Sequence, residues 1–181
     1  MKSLVLDSSA VILLTKCGLL EIACAAFDLF VPPSVVSETA SKELSRKYPD
    51  AAFVRDLISR GLIKTALPSA KKPRIPLSLH RGEADALSVA LTLPKSVLAT
   101  DDGKAIRAAR FLKVPFIITP KIVVELFRLR KVSFPEARKA IEKLGRVGRY
   151  SPDIIAEAMF LLAEVRNGKT NNRKSSGKTP E

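Results

Sequence analysis

Two of the most apolar stretches of the chain run straight into carboxylates. Leu4-Val5-Leu6 ends at Asp7, and Val97-Leu98-Ala99-Thr100 ends at Asp101-Asp102. In a parallel sheet both ends point the same way, so neighbouring strands of this kind bring their acids together at the carboxyl edge, where open α/β sheets bind ligands. Either acid taken alone serves equally well as a helix N-cap. Two such ends in one small sheet point towards a site. Further acids come from helices: Glu38 lies in the second turn after Pro33, and Gly82-Glu83-Ala84-Asp85-Ala86-Leu87 opens another helix. Glu83 falls on the side of Ala86, Leu87 and Ala90, towards the sheet, whereas Asp85 aligns with Ser88, Val89 and Thr92; at the first turn either can lean over the strand ends. Read singly, Glu38 is a surface residue and the first-turn acids complement the helix dipole.

Four or five clustered carboxylates repel one another and, without a cation, are protonated or splayed. Oxygen-only ligands suit Mg²⁺ or Mn²⁺, and one or two such ions activate water and stabilise the leaving oxygen of a phosphodiester. That chemistry accounts for acid at the site of a chain whose balance is otherwise basic, since Lys and Arg around the pocket hold flanking phosphates.

The elements that must position these acids follow a βαβ pattern of short apolar runs and longer helical segments. Strands are expected at Leu4–Leu6, Leu29–Val31, Val97–Ala99 and Phe116–Ile118, uniformly apolar as strands covered on both faces are. Helices are expected over about Ser9–Ala26 with a break at Gly18, Pro33–Arg46, Pro49–Arg60, Gly82–Leu93, Lys104–Leu112 and Pro120–Arg130. Ser133-Phe134-Pro135-Glu136 is a capping box whose helix should stop at Gly145, and Ser151-Pro152-Asp153 opens a last helix ending near Gly168. From Asn167 the chain holds nothing apolar worth burying and is expected to be a disordered basic tail. The stretch 66–78, with Pro68, Pro73, Pro76, Lys71, Lys72 and Arg74, reads as an exposed loop.

The chain has 181 residues, enough for a core without disulfide or metal staples, and at 46% hydrophobic and 27% charged residues it is a folded globular protein. Its net charge of +13 makes a polyanion the default partner. Residues 128–149 contribute +6 and residues 166–181 contribute +4, so most of the excess lies in the C-terminal part. Aromatics are few and Trp is absent, so backbone electrostatics rather than stacked bases should dominate any RNA binding. Cys17 and Cys24 read as two core thiols in a reducing compartment, and with the single His80 they cannot build a four-ligand zinc site. Asp7 and Lys16 interrupt the apolar N-terminus, no run approaches a membrane span, and the protein is expected to be cytoplasmic.

Four segments in order, Val5-Leu6-Asp7-Ser8-Ser9-Ala10, Pro33-Ser34-Val35-Val36-Ser37-Glu38, Gly82-Glu83-Ala84-Asp85-Ala86 and Leu98-Ala99-Thr100-Asp101-Asp102, resemble the acidic motifs of PIN-domain nucleases. The resemblance spans about residues 2–130 and continues into the C-terminal helices in the manner of VapC-like prokaryotic members. It implies a three-layer α/β/α fold with a central parallel sheet of four to five strands, and Mg²⁺- or Mn²⁺-dependent endonucleolytic cleavage of RNA. It also implies a homodimer and a small cognate antitoxin protein. Carried over motif by motif, Asp7, Glu38, Asp85 and one of Asp101 or Asp102 are the metal-binding acids, with Ser9 a polar neighbour and Glu83 an accessory acid. The family spacing after Thr100 favours Asp102. On this reading residues 1–166 form the PIN-like nuclease domain and residues 167–181 the tail.

Two other classes compete. A PIN-like module that binds RNA or protein without turnover would keep the fold, but retention of all the acidic positions argues against it. A phosphatase of the haloacid dehalogenase type also begins with an apolar strand ending in Asp, yet it needs a second Asp two residues on, where this chain has Ser9. Ser-His-Asp hydrolysis would have only His80, beside Arg81 and without a G-x-S-x-G elbow, so His80 reads as a solvated loop residue.

Overall fold

A computed structural model describes residues 2–69 and 78–175, with side chains described as far as Gly168 in the last helix. The elements run β1 (Ser3–Leu6), α1 (Ser8–Lys16), α2 (Leu20–Cys24), β2 (Asp28–Val31), α3 (Pro33–Ala40), α4 (Lys42–Lys47), α5 (Pro49–Ser59), β3 (Ile63–Thr65), α6 (Arg81–Thr92), β4 (Ser96–Ala99), α7 (Gly103–Phe111), β5 (Phe116–Ile117), α8 (Thr119–Arg128), α9 (Phe134–Val147) and α10 (Pro152–Ser175). By its internal contacts the chain divides into two units, residues 1–119 and 120–181.

The first unit carries the whole sheet, five parallel strands in the order β3-β2-β1-β4-β5. All four expected strands form, and a fifth, Ile63–Thr65, escaped the sequence because a three-residue edge strand with two exposed positions has no readable pattern. β1 and β4 sit at the centre, and residues Leu4 to Leu6 and Leu98 to Ala99 are at most 1% exposed. Side chains alternate along a strand. Val5 therefore packs with Leu98 against Ala86, Leu87 and Ala90 of α6 and Ala108 and Ala109 of α7. Leu4 and Leu6 turn to the other face, where α1 contacts β1 and packs with α3 and α5. The result is the α/β layering expected from uniformly apolar strands.

Helix boundaries follow local chemistry. The first helical run breaks at Gly18, which takes φ +70°, so Cys17 and Cys24 lie on separate elements and are half-buried rather than core residues. The run expected over Pro33–Arg46 also splits, because Ser41 is extended and its Oγ accepts from Leu44 N at 3.2 Å, starting α4 afresh. His80 stays exposed, as the sequence suggests, but as the N-cap of α6.

In the second unit α9 opens with the expected capping box, in which Glu136 Oε2 accepts from Ser133 N at 2.6 Å. The helix passes through Gly145, which lies against Ile155 of α10, and is capped instead at Gly148. Phe127 and Phe134 meet edge to face at 5.9 Å, and the Arg166 guanidinium lies 4.5 Å from the Phe134 ring centre. α10 continues to Ser175, past the Asn167 and Gly168 where the sequence places the start of the tail. No proline lies between Pro152 and Pro180 to stop a helix once begun. Residues 176–181, and Lys71, Lys72, Pro73, Arg74 and Pro76 of the expected loop, lie outside the described residues. Among the described residues no helix is long and apolar enough to cross a membrane.

The burial of β4 generates a stability prediction. Leu98→Ala removes a fully buried side chain between α6 and β1, and is expected to cost about 3 kcal/mol in denaturant unfolding. A cost below about 1 kcal/mol would mean that the centre of the sheet is not packed as described.

Candidate active site

The order of the strands reverses between β1 and β4, and their carboxyl ends lie side by side, with Leu6 opposite Ala99 and Asp7 N donating to Ala99 O at 3.1 Å. The acids predicted at the two strand ends therefore meet at the switch point of the sheet.

Asp7 is the centre of this arrangement. It caps α1 through Oδ1, which accepts from Ala10 N at 2.8 Å and from Ser9 Oγ at 2.7 Å, while Oδ2 accepts from Thr100 Oγ1 at 2.5 Å. Ser9 Oγ also reaches across to the end of β4, accepting from Asp101 N, while Thr100 Oγ1 accepts from Asp102 N in its own turn, both at 3.2 Å. One carboxylate thus organises both strand ends. It is only 1% exposed, and burial pushes its carboxyl from the ordinary 3.8 up to about 6. The three hydrogen bonds to it oppose that rise, and the charge of Asp101 adds to it.

The doubled acid after Thr100 divides its work. Asp101 turns to the next element, accepting from Thr119 N at 2.8 Å and Thr119 Oγ1 at 2.5 Å, so it ties the end of β4 to the start of α8. Asp102 caps α7, its Oδ1 accepting from Lys104 N at 2.7 Å and Ala105 N at 2.9 Å. Among the described residues Asp102 Oδ2 makes no hydrogen bond.

Glu38 arrives from α3. Its Oε1 accepts from Gly82 N at 3.1 Å and its Oε2 from Ser8 Oγ, so it spans the starts of α6 and α1. Neither partner was legible as such in the sequence. The glycine offers a signal in retrospect, because a Cβ at position 82 would lie 2.4 Å from Glu38 Oε2. Asp85 is 5% exposed on α6, with Oδ2 3.9 Å from Arg81 Nε. The row of Ala86, Leu87 and Ala90 does face the sheet, but at the first turn it is Asp85, not Glu83, that is buried. Glu83 folds back on its own helix instead, Oε2 accepting from His80 N at 3.0 Å.

By donor type these residues fit a hard divalent cation, all of them offering oxygen. They do not form a ready-made ligand shell: among the described residues no three His, Cys, Asp or Glu side chains stand together as a metal-binding group. Asp7, Glu38, Asp101 and Asp102 are instead each turned onto hydroxyl or backbone donors, the splayed arrangement that like charges favour.

The raised Asp7 carboxyl sets a pH dependence. The native state holds this proton more tightly than the unfolded chain, so the associated stability is complete below about pH 4 and is lost as pH rises through about 6. About two pH units at 1.36 kcal/mol each amount to about 3 kcal/mol. In EDTA, the stability of Asp7→Asn relative to wild type is expected to rise by that amount between pH 4 and pH 7, read from urea midpoints. Parallel stability curves would contradict a buried, proton-holding Asp7.

The chain's likeness to known proteins agrees with this geometry. No curated protein matches it. The family model DUF3368, a PIN domain, matches residues 3–164, which include every element from β1 to α9, every acid described above and most of α10. With its parallel sheet and the acids at the switch point, the chain belongs to the PIN-domain family, whose fold is of the nuclease type.

Proposed function

We propose that the chain is a VapC-like endoribonuclease that hydrolyses RNA phosphodiesters at the β1/β4 edge with Mg²⁺ or Mn²⁺, as the toxin of a toxin–antitoxin pair. The observation that carries this reading is the meeting of Asp7 with the Thr100-Asp101-Asp102 strand end at the switch point, in a chain of net charge +13. Asp7, Glu38, Asp85 and Asp102 are the residues that would hold the cation. Asp102 is preferred to Asp101 because both Asp101 oxygens accept from Thr119, whereas Asp102 Oδ2 accepts no hydrogen bond among the described residues. A divalent cation bound there supplies activated water and charge stabilisation of the leaving oxygen.

The chain's own residues do the rest. Ser9 and Thr100 hold Asp7 from both sides, Ser9 also accepting from the backbone of the neighbouring strand end, and Asp102 is oriented by the first turn of α7. Ser8 and Gly82 hold Glu38 beside the start of α6. Exposed Lys and Arg neutralise flanking phosphates, a contribution that falls with salt. The partners on this reading are RNA, a small antitoxin protein and a second copy of the chain.

Cleavage of a long single-stranded RNA should depend on Mg²⁺ or Mn²⁺, stop in EDTA, and leave 5′-phosphate and 3′-hydroxyl ends. Asp7→Asn, Glu38→Gln and Asp102→Asn should each lower the rate by more than about a hundredfold, beyond what loss of an outer partner costs. Asp101→Asn should lower it less. Ends bearing 2′,3′-cyclic phosphate, or full activity in EDTA, would overturn the mechanism, and RNA binding without cleavage by any preparation would assign the chain to the catalytically silent PIN-like modules.

A further inference from the structure

The outer face of α7 combines charge and an aromatic ring in a way the fold does not need. Lys104, Arg107 and Phe111 stand at i, i+3 and i+7, one row on the helix, and all three are exposed, while Ala105, Ala108 and Ala109 carry the packing. Phe111 is 63% exposed, so its ring contributes little to the core. Neither Lys104 nor Arg107 forms an ion pair among the described residues. The third cation of α7 is already engaged, the Arg110 guanidinium lying 5.4 Å from the Phe116 ring centre.

The row begins at the candidate site. Asp102 caps this helix, and the first two N–H groups it receives include that of Lys104. Helical side chains lean towards the N-terminus. Arg107 does so, its guanidinium standing 3.7 Å from where a Cβ on Gly103 would be. From Lys104 to Phe111 the helix rises about 10.5 Å, the length of about three stacked nucleotides.

We infer that this face of α7 is a track for single-stranded RNA leading from the acidic site, with Lys104 and Arg107 on successive phosphates and Phe111 a platform on which one base stacks. Cations that follow a backbone, followed by an exposed ring, are the two components by which single strands are held without reading sequence. The scarcity of aromatics in the chain excludes multi-base readout, not one stacked base. An apolar protein partner would use the Phe111 ring too, but it has no use for two unpaired cations in the same row. The inference rests on the nuclease reading above, and the test separates the two.

Binding is measured in EDTA, by fluorescence anisotropy of a labelled single-stranded RNA of about ten nucleotides, with full-length protein; cleavage is measured separately with Mn²⁺. Phe111→Ala is expected to weaken binding about tenfold and to raise KM with little change in kcat. Phe111→Trp should restore affinity, and Phe111→Leu, apolar but unable to stack, should not. Lys104→Gln with Arg107→Gln should lower the salt slope of binding by about 1.4. Wild-type binding that none of these substitutions alters overturns the track, as does full affinity in Phe111→Leu, which would make the face a protein-docking patch. A wild-type chain that binds through this row but cleaves nothing overturns the nuclease reading alone.

Discussion

Pairing of β1 with β4 is the constraint on which the rest of the molecule depends. It buries the most apolar residues of the chain, Leu4 to Leu6 and Leu98 to Ala99, and in the same register sets Asp7 against Thr100. Slipping that register by one residue would exchange the two buried faces of one strand, undo its packing against the helices on either side, and separate the carboxylate from its hydroxyl. Stability and site are therefore specified together. The sheet order adds the second half of the constraint, because only between β1 and β4 do the crossovers leave in opposite directions and open a crevice.

The site stores electrostatic cost at that edge. A carboxylate excluded from water is expensive in its charged form, and three hydrogen bonds only partly offset the expense at Asp7. The other acids lower their mutual repulsion by capping or bridging: Glu38 to α6 and α1, Asp102 to α7, Asp101 to the start of α8. Local rules are thus broken at the centre and satisfied around it, a pattern expected of functional sites. The N-cap and functional readings of these aspartates are not rivals. A residue at the end of a buried strand that begins a helix is positioned by the cap it makes.

The same helix ends that orient the acids also carry basic residues outward. α7 is held to the sheet by alanines, so its outer row is free of packing duties and can present Lys104, Arg107 and Phe111. Small residues inside and long ones outside let the helix lie close to the core while still offering an extended surface. In the C-terminal unit α9 is built likewise, with Ala137, Ala140, Ile141 and Leu144 buried and Lys139, Lys143 and Arg146 exposed.

The sequence by itself determined the α/β class, four of the five strands, most helix starts and the acids at the strand ends, because these depend on uniform apolar runs, capping residues and prolines that act over a few positions. Tertiary structure decided what depends on neighbours distant in the chain. The edge strand Ile63–Thr65 exists because β2 offers it a partner, and the glycine at 145 continues a helix because Ile155 packs on it. Asp101 and Asp102 are adjacent and chemically identical, and only their surroundings, Thr119 for one and the first turn of α7 for the other, give them different roles. Glu83 and Asp85 part for the same reason: at the first turn of a helix, periodicity allows either acid to face inward. The carboxylate that finds a backbone N–H on its own helix turns away, leaving the other buried.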